Sequence, residues 1–286
     1  LSSTRKDAAG RTRWADANIS HLDRAKSVLC TLMTRDFLSD VRDLNVQLAM
    51  DGRNAGFVSE PPMPFSGNPF NLEIGNCIAL LGINPRFQTD ARSAVEYPLM
   101  RKLAKEIRDG VSGAVERYIE FRGSYFDANS KIYYGRYFSR IGNILKRPLA
   151  LEESTPTRQV FQKHVLKTDC LAWLSPNISK IDFRRVETAE NEGIRIHHQL
   201  VKSLLAAKKP KWIQINGLST SKTFEKFFDL TFSEVWLDSE HVRYLHAEVK
   251  VDELKIPVVV HPFANRLSTA TAERLLSSFL KRYEIR

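Results

Sequence analysis

The sequence contains few cysteines and no long apolar run. Its three cysteines are widely separated and lie in apolar surroundings, which is typical of reduced core residues rather than of a disulfide framework. No stretch of about 18 uninterrupted apolar residues occurs, so we expect no membrane-spanning helix. The first residues lack the apolar segment of a signal peptide. We therefore expect an intracellular protein, cytoplasmic and near the nucleoid if its source is bacterial.

The spacing that metal ligands require is also missing. His197 and His198 are neighbours, and adjacent residues of a helix do not face one site. The other histidines have no cysteine or carboxylate at a distance along the chain that would close a zinc site. We therefore predict a monomer that holds no metal and no cofactor.

Positive charge, by contrast, is abundant. The 286 residues include 43 Lys and Arg against 33 Asp and Glu, which gives a net charge of +10. This balance favours a polyanionic partner such as DNA or RNA over an anionic membrane surface. The alternative is a basic protein that has no such partner. The length and the 43% hydrophobic content allow one large domain, with or without an extension.

The pattern along the chain predicts a helical extension followed by an α/β domain. A basic lead-in covers residues 1–13, and apolar residues recur at helical spacing over 14–50. The proline-rich stretch 59–71 is the predicted boundary, so the extension spans 1–58 and the main domain 59–286.

Within the main domain, short apolar runs alternate with amphipathic stretches. We predict strands at 77–84, 165–174, 211–217 and 256–262. We predict helices at 91–122, 191–209, 221–230 and 268–283, the last of which begins at a Ser or Thr cap. Strands separated by helices indicate a three-layer α/β/α sandwich with a central four-stranded, mainly parallel sheet.

Polar residues stand at or just past the end of each predicted strand. They are Asn84, Asp169, Asn216 and His261. Ligands of parallel sheets bind at the carboxyl ends of the strands, so we expect these four side chains to meet at one rim. The alternative is that they only stop their strands, as Asn and Asp often do.

Two of these strand ends carry motifs that resemble those of the uracil-DNA glycosylase superfamily. Gly82-Ile83-Asn84-Pro85 resembles the Gly-x-Asn-Pro motif of its mismatch-specific and single-strand-selective branches. His261-Pro262, followed by Leu267-Ser268, resembles the His-Pro-Ser-x-x-Ser motif that precedes the last helix. The resemblance covers about residues 75–283. The chain departs from the family at Arg86, in a longer linker after Pro262, and in extra residues at 110–138.

The resemblance implies a role for each motif. A glycosylase flips its target nucleotide into a pocket and cleaves the bond between base and sugar. Asn84 would orient the attacking water, and His261 would donate a hydrogen bond to the pyrimidine O2. Gly82, Ile83 and Pro85 would line the base pocket. Family branches with an iron–sulfur cluster use four cysteines, and this chain has three.

Asp169 aligns with the family's asparagine that reads uracil. An aspartate accepts well from the N4 amine of cytosine, whereas it would repel the O4 of uracil. Since removal of ordinary cytosine would damage the host genome, we predict a C5-modified cytosine, such as the glucosylated hydroxymethylcytosine of viral DNA, and a role in antiviral defence. The alternatives are that Asp169 caps the following loop, or that Thr168 faces the pocket instead.

The remaining candidates contact DNA or stack on the flipped base. Tyr134, Tyr137 and Phe138 are stacking candidates, although the same spacing fits the apolar face of a helix. Arg266 and Leu267 stand where the family inserts a wedge into the minor groove. Further contacts to DNA are predicted for residues that are each also typical of a solvated surface: Arg86, Arg136 and Ser268.

Together these residues predict a monofunctional DNA glycosylase without a covalent lysine intermediate. One alternative keeps the fold and makes uracil the substrate, as in base-excision repair. A second is a DNA-binding protein of the same fold that lacks catalysis. A third is an α/β enzyme that processes small nucleotides and ignores polymeric DNA.

Overall fold

The computed structural model describes residues 37–46, 56–133, 135–183, 186, 192–237, 241–262 and 267–285. Tyr134, Arg266 and the side chain of Arg136 lie outside this description. So does most of the predicted extension at 1–58, of which residues 37–46 and 56–58 are described, and residues 37–46 form a helix (α1). Residues Asp40–Arg286 form one compact unit, which is described below. The boundary between 58 and 59 stays a prediction.

The compact unit alternates strands with helices. Its strands are β1 Phe65–Ser66, β2 Ile78–Gly82, β3 Val165–Asp169, β4 Ile213–Asn216, β5 Ser233–Leu237, β6 Val242–Val251 and β7 Leu254–His261. The helices after α1 are α2 Ser93–Arg108, α3 Ala114–Gly123, α4 Gly135–Lys146, α5 Thr157–His164, α6 Glu192–Lys208, α7 Ser221–Phe228 and α8 Thr269–Arg282. The predicted α/β class is confirmed.

The sheet has seven strands in the order β1-β3-β2-β4-β7-β6-β5 and is mixed. The four predicted strands form β2, β3, β4 and β7, which pair in parallel. β1 joins one edge, and β6 and β5 join the other, all in antiparallel pairing. The predicted count of four strands is therefore wrong. A search for apolar runs finds strands buried on both faces, whereas β6 alternates between buried and more exposed residues.

The predicted helix at 91–122 is two helices. Gly110 and Gly113 adopt positive φ angles of 72° and 71° between α2 and α3, which a helix cannot continue through. The last helix begins as predicted, because the Ser268 hydroxyl accepts a hydrogen bond from the Thr271 amide at 3.0 Å.

One face of the parallel strands is covered by α4, α5 and α8. Leu80 of β2 and Val259 of β7 lie in the same buried cluster as Ile141, Phe161 and Leu275 of those helices. The polar residues at the carboxyl ends of these strands lie at the edge of the sheet, beyond the apolar residues of this cluster.

Candidate active site

The register of the parallel strands aligns their last residues in a row. Gly82 pairs with Asp169, and Asn216 pairs with His261. β2 lies between β3 and β4, and its pairing with β4 runs up to Leu81. Gly82 is therefore flanked by Asp169 on one side and by Asn216 on the other. In open parallel sheets, ligands bind in the crevice outside such strand ends.

A cavity of about 770 Å³ opens at this row, a volume that suits a small-molecule or nucleobase ligand. Eight predicted site residues line it: Gly82, Ile83, Asn84, Pro85, Arg86, Tyr137, Phe138 and Asp169. Asn216 lines it as well. His261, Leu267 and Ser268 do not line it, so the structure brings the first motif, but not the second, to the cavity.

The Asn84 side chain has a fixed orientation. Its amide nitrogen lies 3.0 Å from the Pro85 carbonyl, 3.1 Å from the Trp173 carbonyl and 2.8 Å from the Ser175 hydroxyl. Carbonyl oxygens only accept hydrogen bonds, so the NH2 group must face them and the amide cannot be turned round. The Asn84 carbonyl oxygen therefore points away from these partners, and no described residue donates to it.

Asp169 approaches the backbone of β2 at Gly82. A Cβ atom at position 82 would lie well inside 3.0 Å of the Asp169 carboxylate oxygen Oδ1, a distance that such atoms essentially never reach. The glycine of the first motif is thus required because the Asp169 side chain leans across β2.

We expect Gly82→Ala to displace the Asp169 carboxylate and to destabilise the fold by about 1–3 kcal/mol, the usual cost of overpacking. Urea unfolding measures the stability, and DNA binding and base release measure the site. Gly135→Ala is a matched control, because its added methyl would meet only an ordinary contact with Tyr133 at 3.4 Å. Equal stability of the two variants would contradict the steric argument.

Lys167 is a cavity residue that the sequence analysis missed. It precedes Asp169 by two positions on β3, so both side chains face the same side of the sheet. The Lys167 ammonium lies 2.8 Å from Asp169 Oδ1 and 2.7 Å from the Thr168 carbonyl. A lysine has three N–H donors, so one remains for a ligand. No local pattern marks it, because β3 is buried along its length rather than alternating between buried and exposed residues.

Thr168 does not compete with Asp169 for the cavity. Its side chain is fully buried, and its hydroxyl donates to the Pro64 carbonyl at 2.7 Å. Asp169 lines the cavity and Thr168 does not, and a role of Asp169 in base recognition stays a prediction.

Asn216 and Tyr137 meet at the other side of the row. The Asn216 amide nitrogen lies 3.2 Å from the Tyr137 hydroxyl. Burial raises the pKa of Tyr137 to about 12, the Asn216 hydrogen bond opposes this shift, and the negative charge of Asp169 adds to it. The phenol is therefore neutral, and Asp169, Tyr137 and Asn216 belong to one polar cluster.

His261 is held inside the protein. Its Nδ1 lies 2.7 Å from the Pro262 carbonyl, and its Nε2 lies 2.9 Å from the Gln214 amide nitrogen. Because a carbonyl only accepts, Nδ1 carries the hydrogen and Nε2 accepts from Gln214. This arrangement leaves no N–H to donate to a pyrimidine O2. His261 also does not line the cavity, so the expected meeting of His261 with Asn84 there is wrong.

Buried neutral histidines predict loss of stability in acid. Burial lowers the pKa of both His261 and His197 from 6.5 to about 4. As pH falls from about 6.5 to about 4, these histidines bind protons in the unfolded chain but not in the folded chain. The free energy of unfolding therefore decreases. Urea unfolding between about pH 7 and about pH 4.5 measures this slope. His261→Gln is expected to reduce the slope, and an unchanged slope would contradict the assignment.

A buried ion pair supports the opposite wall of the cavity. Glu96 of α2 lines the cavity and accepts from Arg122 of α3 at 2.5 Å. Arg122 is fully buried and also donates to the Phe65 carbonyl and the Ser66 hydroxyl. The sequence analysis missed this pair, because charged residues on helices usually face solvent.

The other predicted contacts occupy different settings. Arg86 is exposed at the rim of the cavity and forms no ion pair with a described residue. Phe138 packs edge-on against Tyr125 and Phe126, with ring centroids 5.7 and 5.1 Å apart, as a core residue does. The Leu267 carbonyl accepts a hydrogen bond from Arg140, and Ser268 caps α8. Their roles toward DNA stay predictions.

Comparison with known proteins finds no matching family model and no matching curated protein. The described ranges contain no group of three or more His, Cys, Asp or Glu residues that could hold a metal ion. Nor does any helix in the described part of the chain have the length and apolar character needed to cross a membrane.

Proposed function

We propose that this protein is a monofunctional DNA glycosylase that hydrolyses the bond between the sugar and a modified pyrimidine, with a C5-modified cytosine as the substrate class. The observation that carries the proposal is the orientation of Asn84. Its NH2 group is anchored by backbone carbonyls at the cavity wall, and its oxygen is left as a hydrogen-bond acceptor for water.

Positioning a water is the chemistry that such an oxygen can perform. An amide is too weak a base to take a proton from water fully. Its oxygen can nevertheless hold a water in line with the sugar carbon that bears the base. This is sufficient when the glycosidic bond is largely broken before water attacks, because the sugar is then a strong electrophile. The fixed amide needs no reorganisation as the reaction proceeds.

Lys167 supplies the positive charge for the departing base. The charge of a leaving cytosine develops on N3 and O2, and an ammonium in a desolvated cavity stabilises such charge strongly. The third N–H of Lys167 would serve here in place of His261, whose ring is bonded to Gln214 and Pro262. Because the lysine ion-pairs with Asp169, it acts as an ammonium donor and not as a nucleophile.

Asp169 and Lys167 together present one acceptor and one donor to the base. With cytosine, the carboxylate accepts from N4 and the ammonium donates to N3. With uracil, the same two groups would accept from N3 and donate to O4, in the reverse order along the base. This pair alone therefore permits both substrates, and uracil is retained as the second candidate.

DNA is the proposed polyanionic partner, in a three-layer fold that presents the strand ends to it. The net charge of +10 favours association with phosphates, and Arg86 is an exposed cation at the cavity rim. A DNA-binding protein without catalysis would share both features. Base release separates the two proposals.

The test uses matched oligonucleotides that contain uracil, cytosine, hydroxymethylcytosine or glucosylated hydroxymethylcytosine, in single-stranded and duplex form. Alkali cleaves the strand wherever a base has been removed. Cleavage only with a modified cytosine is the expected result. Cleavage with uracil alone would show that uracil, and not a modified cytosine, is the substrate. DNA binding without cleavage would favour a DNA-binding protein that lacks catalysis. A cross-link trapped by borohydride would contradict the monofunctional mechanism.

A further inference from the structure

An unsatisfied acceptor lies in the wall of the cavity. Asn216 is 7% exposed, and its amide nitrogen is engaged with Tyr137. Its Oδ1 is buried and has no hydrogen-bond partner among the residues that the structure describes. A buried acceptor without a donor costs free energy, so a ligand in the cavity that donates to this oxygen would recover that cost.

Asp169 supplies a second acceptor in the lining of the cavity. Asp169 uses Oδ1 for Lys167, and its Oδ2 accepts from no described residue. Gly82 separates Asp169 from Asn216, so their Cα atoms lie about two strand spacings, or ~10 Å, apart. The Asp169 atom that lies over Gly82 is Oδ1, the oxygen that accepts from Lys167, and its second lone pair can accept from a ligand beside Gly82.

Two acceptors on either side of Gly82, which has no side chain, can each accept one hydrogen of an exocyclic amine. An –NH2 group has two hydrogens at about 120°, and two hydrogen bonds of ~2.9 Å from its nitrogen place the acceptors about 5 Å apart. A keto oxygen in the same position would face two oxygens and satisfy neither. The third N–H of Lys167 is then left for the adjacent ring nitrogen.

We infer that Asn216 is a specificity-determining residue that selects a 4-aminopyrimidine over a 4-ketopyrimidine by accepting one amine hydrogen at Oδ1, opposite Asp169. The inference rests on the proposed function for its setting and deepens it, because the pair of Asp169 and Lys167 by itself permits both bases. The additional acceptor of Asn216 favours bases with a 4-amino group, as in cytosine, over bases with a 4-keto group.

The test compares two oligonucleotides that differ only at position 4 of one base, 5-hydroxymethylcytosine and 5-hydroxymethyluracil. The dissociation constant and the single-turnover rate of base release are both measured for the full chain. We expect the wild type to favour the amine. Asn216→Ala should reduce this preference by about tenfold, the loss expected for one hydrogen bond to a buried acceptor.

Two further variants keep the result interpretable. Asn216→Asp retains an acceptor oxygen and should retain the preference. Asn76→Ala is a matched control, because Asn76 is exposed at the amino end of β2, away from the cavity. Thermal unfolding of each variant reports whether it folds.

The binding arm separates this inference from the proposed function. A preference for the amine in binding that Asn216→Ala removes would support the inference, even if the wild type released no base. Release of base with an unchanged preference in Asn216→Ala would overturn the inference and leave the glycosylase intact. Equal binding of both oligonucleotides by the wild type would also overturn it.

Discussion

Asn84→Ala is expected to reduce the rate of base release by about 100-fold or more, with little change in DNA affinity. The substitution removes the oxygen that positions water, and loss of one positioned group costs this order of magnitude in other enzymes. We expect contacts to phosphates to set the affinity for DNA, whereas Asn84 lines the cavity proposed to hold the base. Single-turnover release and binding to an uncleaved oligonucleotide are the two measurements.

Asn84→Asp is also expected to reduce the rate of base release, although a carboxylate is a stronger base than an amide. One carboxylate oxygen would replace the NH2 group and face the carbonyl oxygens of Pro85 and Trp173, which cannot donate to it. The side chain would therefore be repelled from its present position. Rescue of the rate by Asn84→Asp would contradict the anchored amide as the source of orientation.

A control for both variants is Asn143→Ala. Asn143 lies on α4 with its side chain exposed, so the change removes an amide of the same size without touching the cavity. The rate of release should stay at the wild-type value. An equal loss in Asn143→Ala would show that the effect is not specific to Asn84.

Arg122→Met is expected to destabilise the protein by about 3–5 kcal/mol, because it leaves a carboxylate unpaired in a buried site. Arg122 is fully buried, and Glu96 lies 2.5 Å from it with 9% of its side chain exposed. The same change also leaves the Phe65 carbonyl without its side-chain donor. Urea unfolding gives the difference in the free energy of unfolding.

The double variant Arg122→Met, Glu96→Leu should be more stable than Arg122→Met alone, since the unpaired charge is gone. Arg117→Ala serves as the control, because the Arg117–Glu106 pair has the same chemistry but an exposed arginine and a partly exposed glutamate. Exposed pairs contribute about 0–1 kcal/mol. A cost for Arg122→Met as small as that of Arg117→Ala would contradict the role of the buried pair.

The parts of the fold that could be read from the sequence are those with a strong local signal. β2 and β7 contain the apolar runs 78–81 and 258–260, and β3 and β4, which also hold polar residues, adjoin apolar residues along the sequence. The long strand β6 escaped detection, because its partly exposed residues give an alternating pattern without such a run.

The candidate site divides in the same way. Asn84 and Asp169 follow directly from their positions at strand ends, since parallel pairing places those ends together. Lys167 and Arg122 could not be recognised, because a charged residue is normally solvated and only its partner shows otherwise. The ion pairs with Asp169 and Glu96 become visible only once the sheet is formed and α2 packs against α3.

The sequence by itself determined the alternation of strands and helices, the polar residue at each strand end, and the glycine and asparagine of the first motif. These are local properties of periodicity and backbone conformation. Tertiary structure alone decided where each polar group points. Asn84 is oriented by the Trp173 carbonyl and the Ser175 hydroxyl of a distant loop, and His261 is bonded to Gln214, 47 positions away along the chain. Hydrogen bonds between distant residues depend on register and packing, so no local pattern encodes them.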